Sequence, residues 1–224
     1  FYPIQLSEKE ETQLNVAPGM DMMDVPKELE GNVRMISTGA TFSVGLDNNG
    51  KVYVWGRTKI SNKIDIKKDL PSQEELGEVV AVSAGFDHAM ALNAEGEVIC
   101  WGSNRMSQAK PPSGMKRKKI KQIAAGYQVS FALTEGGEIL HWGNDNLNDI
   151  RITRKKGDGK IDKIAVANTT LLAVTKDGEA VHMGSQPTDI DAIPEDLGKV
   201  VDLAATADNG LVLLEDGSLR VWGK

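Results

Sequence analysis

A Trp-Gly pair returns at Trp55-Gly56, Trp101-Gly102, Trp142-Gly143 and Trp222-Gly223, with Met183-Gly184 in its place once. Successive intervals are 46, 41, 41 and 39 residues. A period in that range, carried by short apolar runs and glycines, marks a repeat architecture in which each unit buries its apolar face against the next. The residues around the pair repeat as well. Val82 to Asn104 reads V-S-A-G-F-D-H-A-M-A-L-N-A-E-G-E-V-I-C-W-G-S-N, and Ile123 to Asn144 reads I-A-A-G-Y-Q-V-S-F-A-L-T-E-G-G-E-I-L-H-W-G-N. Five such copies make the chain a ring or array of like units.

Each unit divides into an outer extended piece that usually ends at proline, an apolar strand, an A-L or V-L strand, and a strand closing on Trp-Gly. The last two strands are joined by Asp47-Asn48-Asn49-Gly50, Ala94-Glu95-Gly96, Glu135-Gly136-Gly137, Lys176-Asp177-Gly178 and Glu215-Asp216-Gly217. A glycine at one fixed place supplies the positive φ that a tight hairpin needs. Short β-rich runs bounded by turn residues read as strands, and four of them per unit of about 40 to 45 residues describe the blade of a β-propeller. The expected fold is therefore all-β, with a lead-in arm over residues 1–19 and one propeller domain over 20–224. D-M-M-D-V-P-K-E-L at 21–29 resembles D-I-D-A-I-P-E-D-L at 189–197. Setting Met20 to Pro26 beside the strand that ends at Val221 closes five four-stranded blades into a ring and removes its exposed edges. The alternative is five units of a seven-blade propeller.

The repeated motif resembles that of the regulator of chromosome condensation repeat family, close to A-G-x-x-H-x-x-A-L-x-x-D-G-x-V-x-x-W-G-x-N. The second copy carries Ala84, Gly85, His88, Ala91, Leu92, Gly96, Val98, Trp101, Gly102 and Asn104 in that pattern. The first copy has Thr38 before Gly39, Ala167 and Thr206 replace the glycine in copies four and five, and only His88 keeps the histidine. The resemblance implies a propeller that works by binding other macromolecules, with a more distant similarity to bacterial propeller-type β-lactamase inhibitors. In those inhibitors it implies that such turns supply aromatic anchors for a partner enzyme.

Composition narrows the function classes. A net charge of -6 argues against binding along a phosphate backbone, so nucleic acid is not an expected partner. No apolar run approaches the roughly 20 residues of a membrane-spanning helix, which leaves membrane attachment to flanking segments. The lone Cys100 excludes an internal disulfide frame. Neither a phosphate-binding G-x-x-x-x-G-K-[ST] loop nor an H-E-x-x-H pair is present, and no nucleophile stands at a helpful offset from His88. The expectation is a non-enzymatic monomer without cofactor or metal, serving as an interaction domain of a bacterial surface or membrane-attached protein. A cytoplasmic location, a purely structural spacer and an inhibitor of a secreted enzyme such as a β-lactamase are the other readings.

The Trp-Gly tryptophans keep strict phase and are expected to pack between blades. Cys100, His141 and His182 share one position in three consecutive units; zinc takes such ligands, but only at about 2.0 to 2.3 Å, and strand-paired side chains are the plainer reading. His88 is expected to fix its own turn by a hydrogen bond. Lys116-Arg117-Lys118-Lys119 and Arg154-Lys155-Lys156 fall in equivalent loops and suggest a basic rim. The candidate binding residues follow the motif glycine or its replacement, where a turn at one place in every blade projects side chains onto one face. After Ala40-Thr41 these are Phe86, Asp87, Tyr127, Gln128, Asn168, Thr169 and, beside Ala207, Asp208. Phe86 and Tyr127, in adjacent units, are the aromatic anchors an interface favours.

Overall fold

The computed structural model describes residues 25–144, 151–152, 159–184 and 192–224, with Arg151–Ile152 as backbone alone. Five antiparallel sheets follow one another along the chain. Blade one holds β1 (Val33–Thr38), β2 (Phe42–Asp47) and β3 (Val52–Gly56). Blade two holds β4 (Val79–Ala84), β5 (His88–Asn93) and β6 (Val98–Gly102), and blade three β7 (Ile120–Ala125), β8 (Val129–Thr134) and β9 (Ile139–Gly143). Blade four comprises β10 (Arg151–Ile152), β11 (Ile161–Ala167), β12 (Thr170–Thr175) and β13 (Ala180–Gly184). Blade five comprises β14 (Val200–Ala205), β15 (Asn209–Leu214) and β16 (Leu219–Gly223).

The hairpins form where the turn residues predict them. Gly50, Gly96, Gly137, Gly178 and Gly217 sit at φ of 84°, 84°, 91°, 84° and 85°, a conformation that a side chain strongly disfavours. In blade one the Asp47 carboxylate also accepts the amides of Asn49 at 2.8 Å and Lys51 at 2.9 Å, so the loop's own backbone donors are satisfied locally. Asn93 does the same for Glu95 and Glu97 in blade two.

Among the described residues four of the sheets have three strands, not the four expected, and blade four adds an outer strand, where β10 pairs with β13. In blades two and three the outer piece runs beside the last strand without joining the ladder, and its composition explains it. Asp65 folds its piece into a turn by accepting the amides of Lys67 and Lys68, and Pro71, Pro111 and Pro112 bring no N–H. In blades two and three these pieces instead contribute a carbonyl to the buried indole. Trp101 Nε1 donates to the Ile66 carbonyl at 2.9 Å and Trp142 Nε1 to the Gln108 carbonyl at 2.9 Å.

The first strands of all five sheets surround one axis. Met35 of β1, Ala81 of β4, Ile123 of β7, Ile164 of β11 and Leu203 of β14 line a common cavity of about 390 Å³. Between neighbouring blades lie four apolar seams. Trp101 packs with Phe42, Val44 and Leu46 of blade one, and Trp142 with Met90 and Leu92 of blade two. Met183 closes on Phe131 and Leu133 of blade three, and Trp222 on Leu172 and Val174 of blade four. The repeated tryptophan is thus a core residue that blades two, three and five present to the blade before them, as its strict phase implied.

The expected closure is not seen among the described residues. Lys27–Leu29 forms a 3-10 turn, and the buried Leu29 packs on blade one itself, where a Cβ on Gly45 of β2 would meet it at 2.8 Å. Leu29 therefore belongs to blade one, just ahead of β1, as the equally buried Leu76 stands just ahead of β4 in blade two. β16 has β15 as its strand partner among the described residues. Met20 to Asp24 and the lead-in arm over 1–19 lie outside them. Among the described residues, the two ends of the array accordingly expose positions that are buried or half-buried in the blades between. Val33 and Ile36 of β1 are 44% and 55% exposed, whereas their counterparts Val79 and Val82 are at 0% and 1%. Leu219 and Val221 of β16 are exposed as well, while their counterparts Ala180 and His182 in β13 are buried.

Truncating a seam residue and altering an end face should therefore differ sharply. Trp101→Ala is expected to cost about 3 to 5 kcal/mol of unfolding free energy, measured by urea denaturation. Leu219→Lys with Val221→Lys is expected to change it by no more than about 0.5 kcal/mol, as for exposed sites; a large loss would show that another segment covers β16.

Candidate functional site

The turns that join the first two strands of each blade have one construction. The amide of Gly39 donates to the Phe42 carbonyl at 2.8 Å, Gly85 to His88 at 2.9 Å, Gly126 to Val129 at 2.9 Å and Thr206 to Asn209 at 2.9 Å. Successive turns are then stitched together around the axis. Ala40 N–H donates to the Gly85 carbonyl at 3.2 Å, Phe86 N–H to Gly126 at 3.2 Å and Tyr127 N–H to Asn168 at 2.8 Å. The motif glycine is what permits this approach, because a Cβ on Gly85 would stand 2.8 Å from the Gly126 carbonyl and one on Gly126 would collide with that of Asn168. Where Ala167 and Thr206 replace it, the stitch does not recur: among the described residues, Asn168 N–H makes no such bond to the turn of blade five.

These five turns enclose a shallow mouth of about 370 Å³ at one end of the axis. None of its lining residues is charged, in a chain where 26% of residues are. Phe86 and Tyr127 stand on its rim, 49% and 39% exposed, with ring centroids 4.8 Å apart and planes at 68°. That edge-to-face contact is a favoured aromatic geometry, and it gives two adjacent blades one continuous aromatic ridge.

The other candidate residues divide. Asn168 is exposed on the mouth in a left-handed conformation, φ 55°, and Thr169 beside it is half-buried. Gln128 is half-buried, also left-handed at φ 56°, and its carbonyl is engaged by Asn144 N–H at 2.9 Å. Asp208 is exposed, with its amide directed at Thr206 Oγ1. Asp87 turns inward: it is buried, and its carboxylate accepts the side-chain amide of Gln108 at 3.3 Å. Of the two residues between Gly85 and His88, only Phe86 therefore faces outward.

His88 also departs from expectation. Rather than fixing its own turn, its Nε2 lies 2.8 Å from Ser130 Oγ in the next blade. Ser130 Oγ in turn donates to the Gln108 carbonyl at 2.7 Å, the same oxygen that takes the Trp142 indole. With the hydroxyl proton so placed, the imidazole must carry its proton on Nε2 and donate it to Ser130. Asp87, His88 and Ser130 thus have the residue types of a hydrolytic triad in a different wiring. The carboxylate oxygen is 3.9 Å from His88 Nδ1, the serine proton points away from the imidazole, and both His88 and Ser130 are 0% exposed. A nucleophile needs its base on the hydroxyl proton and a path for substrate; this cluster is a buried polar tie between blades. Ser130 lies 42 residues from His88, one repeat away, so only the assumption that equivalent positions touch across a seam could have paired them from sequence.

Cys100, His141 and His182 stay in separate sheets, each on a Trp-Gly strand, opposite Met90, Phe131 and Leu172. Burial pushes the Cys100 thiol up to about 12 and lowers His141 below the usual histidine value. Among the described residues no group of three or more His, Cys, Asp or Glu gathers where it could hold a metal ion. In the basic stretch, Lys116 lies 3.5 Å from Glu95 and 4.0 Å from Glu97, so part of its charge is met within the protein. Arg154 to Lys156 lie outside the described residues. Among the described residues, no helix is long and apolar enough to cross a membrane.

Three stretches, 33–58, 79–108 and 120–148, match the family profile described as the regulator of chromosome condensation (RCC1) repeat; they cover blades one to three. Blades four and five repeat the same sheet without matching it. Among solved structures, the fold is similar to that of human WBSCR16, with 20% identity over 86% of this chain and 62% of that one, at a TM-score of 0.66. The Saccharomyces cerevisiae protein Prp20p is similar at 22% identity over 88% of this chain and 61% of its own, TM-score 0.65. The ectodomain of the Arabidopsis thaliana receptor kinase ACR4 is similar at 19% identity over 86% and 70%, TM-score 0.66. The chain spans about three fifths of the first two of these proteins. No curated protein matches the chain by sequence. The similarity to β-lactamase inhibitors is not confirmed by these matches.

Burial holds His88 neutral, lowering its pKa from 6.5 to about 4. Between those values the unfolded chain binds a proton that the folded one refuses, so the stability His88 permits is complete above pH 6.5 and is lost as pH falls toward 4. The slope is at most about 1.4 kcal/mol per pH unit. His88→Gln keeps a donor for Ser130 but does not titrate. Urea unfolding from pH 7.5 down to pH 4.5 should show the wild type losing stability faster than this variant; parallel curves would contradict the assignment.

Proposed function

The chain carries repeats of the regulator of chromosome condensation type, and from that premise we propose that it is a protein-interaction module whose partner seats on the axial mouth against Phe86 and Tyr127. The carrying observation is the aromatic ridge itself: two large rings in contact and half open to solvent, beside a concavity with no charged lining. Large aromatics at the centre of a recessed apolar patch are the residues on which interfaces concentrate their energy. Asn168 offers the mouth one polar side chain with donors and an acceptor, which suits a partner's backbone. The matching ligand is an uncharged, apolar loop tip of a protein. The published structures of the yeast relative name Kap60, Gsp1p and histones as proteins it binds or was tested against, which supports an interaction role for the fold and identifies no partner here.

A structural spacer with no ligand is the competing reading, and one experiment separates them. Phe86→Ala with Tyr127→Ala should leave the unfolding midpoint nearly unchanged and weaken partner capture by at least about thirtyfold, the effect of losing about 2 kcal/mol at a binding hot spot. Because the mouth is uncharged, capture by the wild type should change little between low and high salt. Equal capture by wild type and double variant would remove the ridge from the interface.

A further inference from the structure

The seam between blades two and three differs from the others in two respects. It is the one whose turns both carry an aromatic ring: the corresponding pairs at the other three seams are Ala40 with Phe86, Tyr127 with Asn168, and Asn168 with Ala207. It is also the one that places a histidine opposite a serine. The positions matching His88 and Ser130 are held by Phe42 and Ala89, by Val129 and Leu171, and by Thr170 and Gly210.

A hydrogen-bonded polar pair where two of the other three seams use apolar side chains asks for an explanation other than stability. Burying the imidazole and hydroxyl sacrifices hydration, and the hydrogen bond between them recovers no more than an apolar pair of similar volume supplies. What a hydrogen bond adds over an apolar contact is direction. His88 closes the turn that carries Phe86, two residues upstream, and Ser130 follows the residue that closes the turn carrying Tyr127. The bond between them therefore links the bases of the two turns at 2.8 Å, with Ser130 held in place by the Gln108 carbonyl at 2.7 Å. The Gln108 side chain reaches back 3.3 Å to Asp87, the residue between Phe86 and His88. Both turns are thus gripped from beneath by one buried chain of hydrogen bonds, while above it the two turns are joined to each other by the 3.2 Å bond from Phe86 N–H to the Gly126 carbonyl and by the ring contact, with Tyr127 N–H also held by the Asn168 carbonyl at 2.8 Å.

We propose that His88, Ser130 and Gln108 are positioning residues for the exposed Phe86 and Tyr127 rings, fixing the turns so that the two rings meet edge to face before any partner arrives. Its functional meaning rests on the reading of that ridge as the partner's seat; its geometry does not. An aromatic pair ordered in advance loses less conformational freedom on binding.

The test is made on the free 224-residue chain by nuclear magnetic resonance, reading the cross-peaks between Phe86 and Tyr127 ring protons and their ring-current shifts. His88→Leu keeps an apolar volume and removes the bond, whereas His88→Gln keeps a donor at the place of Nε2. The expected result is a loss of more than half the ring-to-ring intensity in His88→Leu and near wild-type intensity in His88→Gln. Ser130→Ala, which deletes one oxygen, should reproduce the loss and carries the test if His88→Leu does not fold. Unchanged ring contact in Ser130→Ala or in folded His88→Leu overturns the proposal, even if their thermal midpoints fall, because that is what a purely stabilising role predicts. Since no partner is present, this outcome is independent of whether the ridge binds one; failure of capture in the earlier experiment leaves the ring contact as the separate readout.

Discussion

The seam between blades, and within it the buried indole, is the contact on which the other features rest. Trp101 and Trp142 each fill the space against the preceding blade and donate their single N–H to the outer piece of their own unit. An indole buried without that acceptor would forfeit a hydrogen bond to water, so the packing of the ring and the path of the outer piece are decided together. Met183 has no donor and makes no such demand, and among the described residues its blade is the one in which an outer segment pairs as a strand. The ladder position and the indole acceptor are alternative uses of the same stretch of chain.

With the seams set, the mouth follows from close approach of backbone. Gly39, Gly85 and Gly126 let each turn lean on the next until amide meets carbonyl, and this leaves little at the axis for a charged group to hydrate. Charges are accordingly found along the channel wall further in, paired across blades, as Lys121 is with Asp162 at 2.9 Å. Asp87, the one acid in an aromatic-bearing turn, is drawn inside and satisfied there by Gln108. The outer surface of the two central turns is then dominated by the two aromatic rings.

Periodicity was enough to read five sheets, their hairpins and the burial of the tryptophans, because each depends on residues close in sequence: a glycine at positive φ, an alternation of apolar residues, a repeated phase. The outer piece could not be read that way. Its residues are as extended and apolar as a strand's, and only the competing side-chain turn of Asp65, the prolines and the demand of the indole decide against pairing. Phe86 and Tyr127 were legible as exposed rings since they are large, apolar and inside turns. The inward rotation of Asp87 and the contact of His88 with Ser130 were not, because both depend on Gln108, a residue from the linking segment that has no place in the repeat motif. The ends fell between these cases: the likeness of 21–29 to 189–197 located an outer piece whose buried Leu29 packs on blade one, while Met20 to Asp24, the residues that would meet β16, lie outside the described residues.

The exposed faces of β1 and β16 give the array a gradient of cooperativity. In a linear stack each unit is held chiefly by its neighbours, so a unit with one neighbour opens more readily than a unit with two. Blade five, with a partly exposed first strand and no strand beyond β16 among the described residues, stands at the weak end of that ladder, and blades two and three stand in its interior. Amide protons should then exchange from the flanks inward, and the aromatic ridge is carried by the blades that melt last.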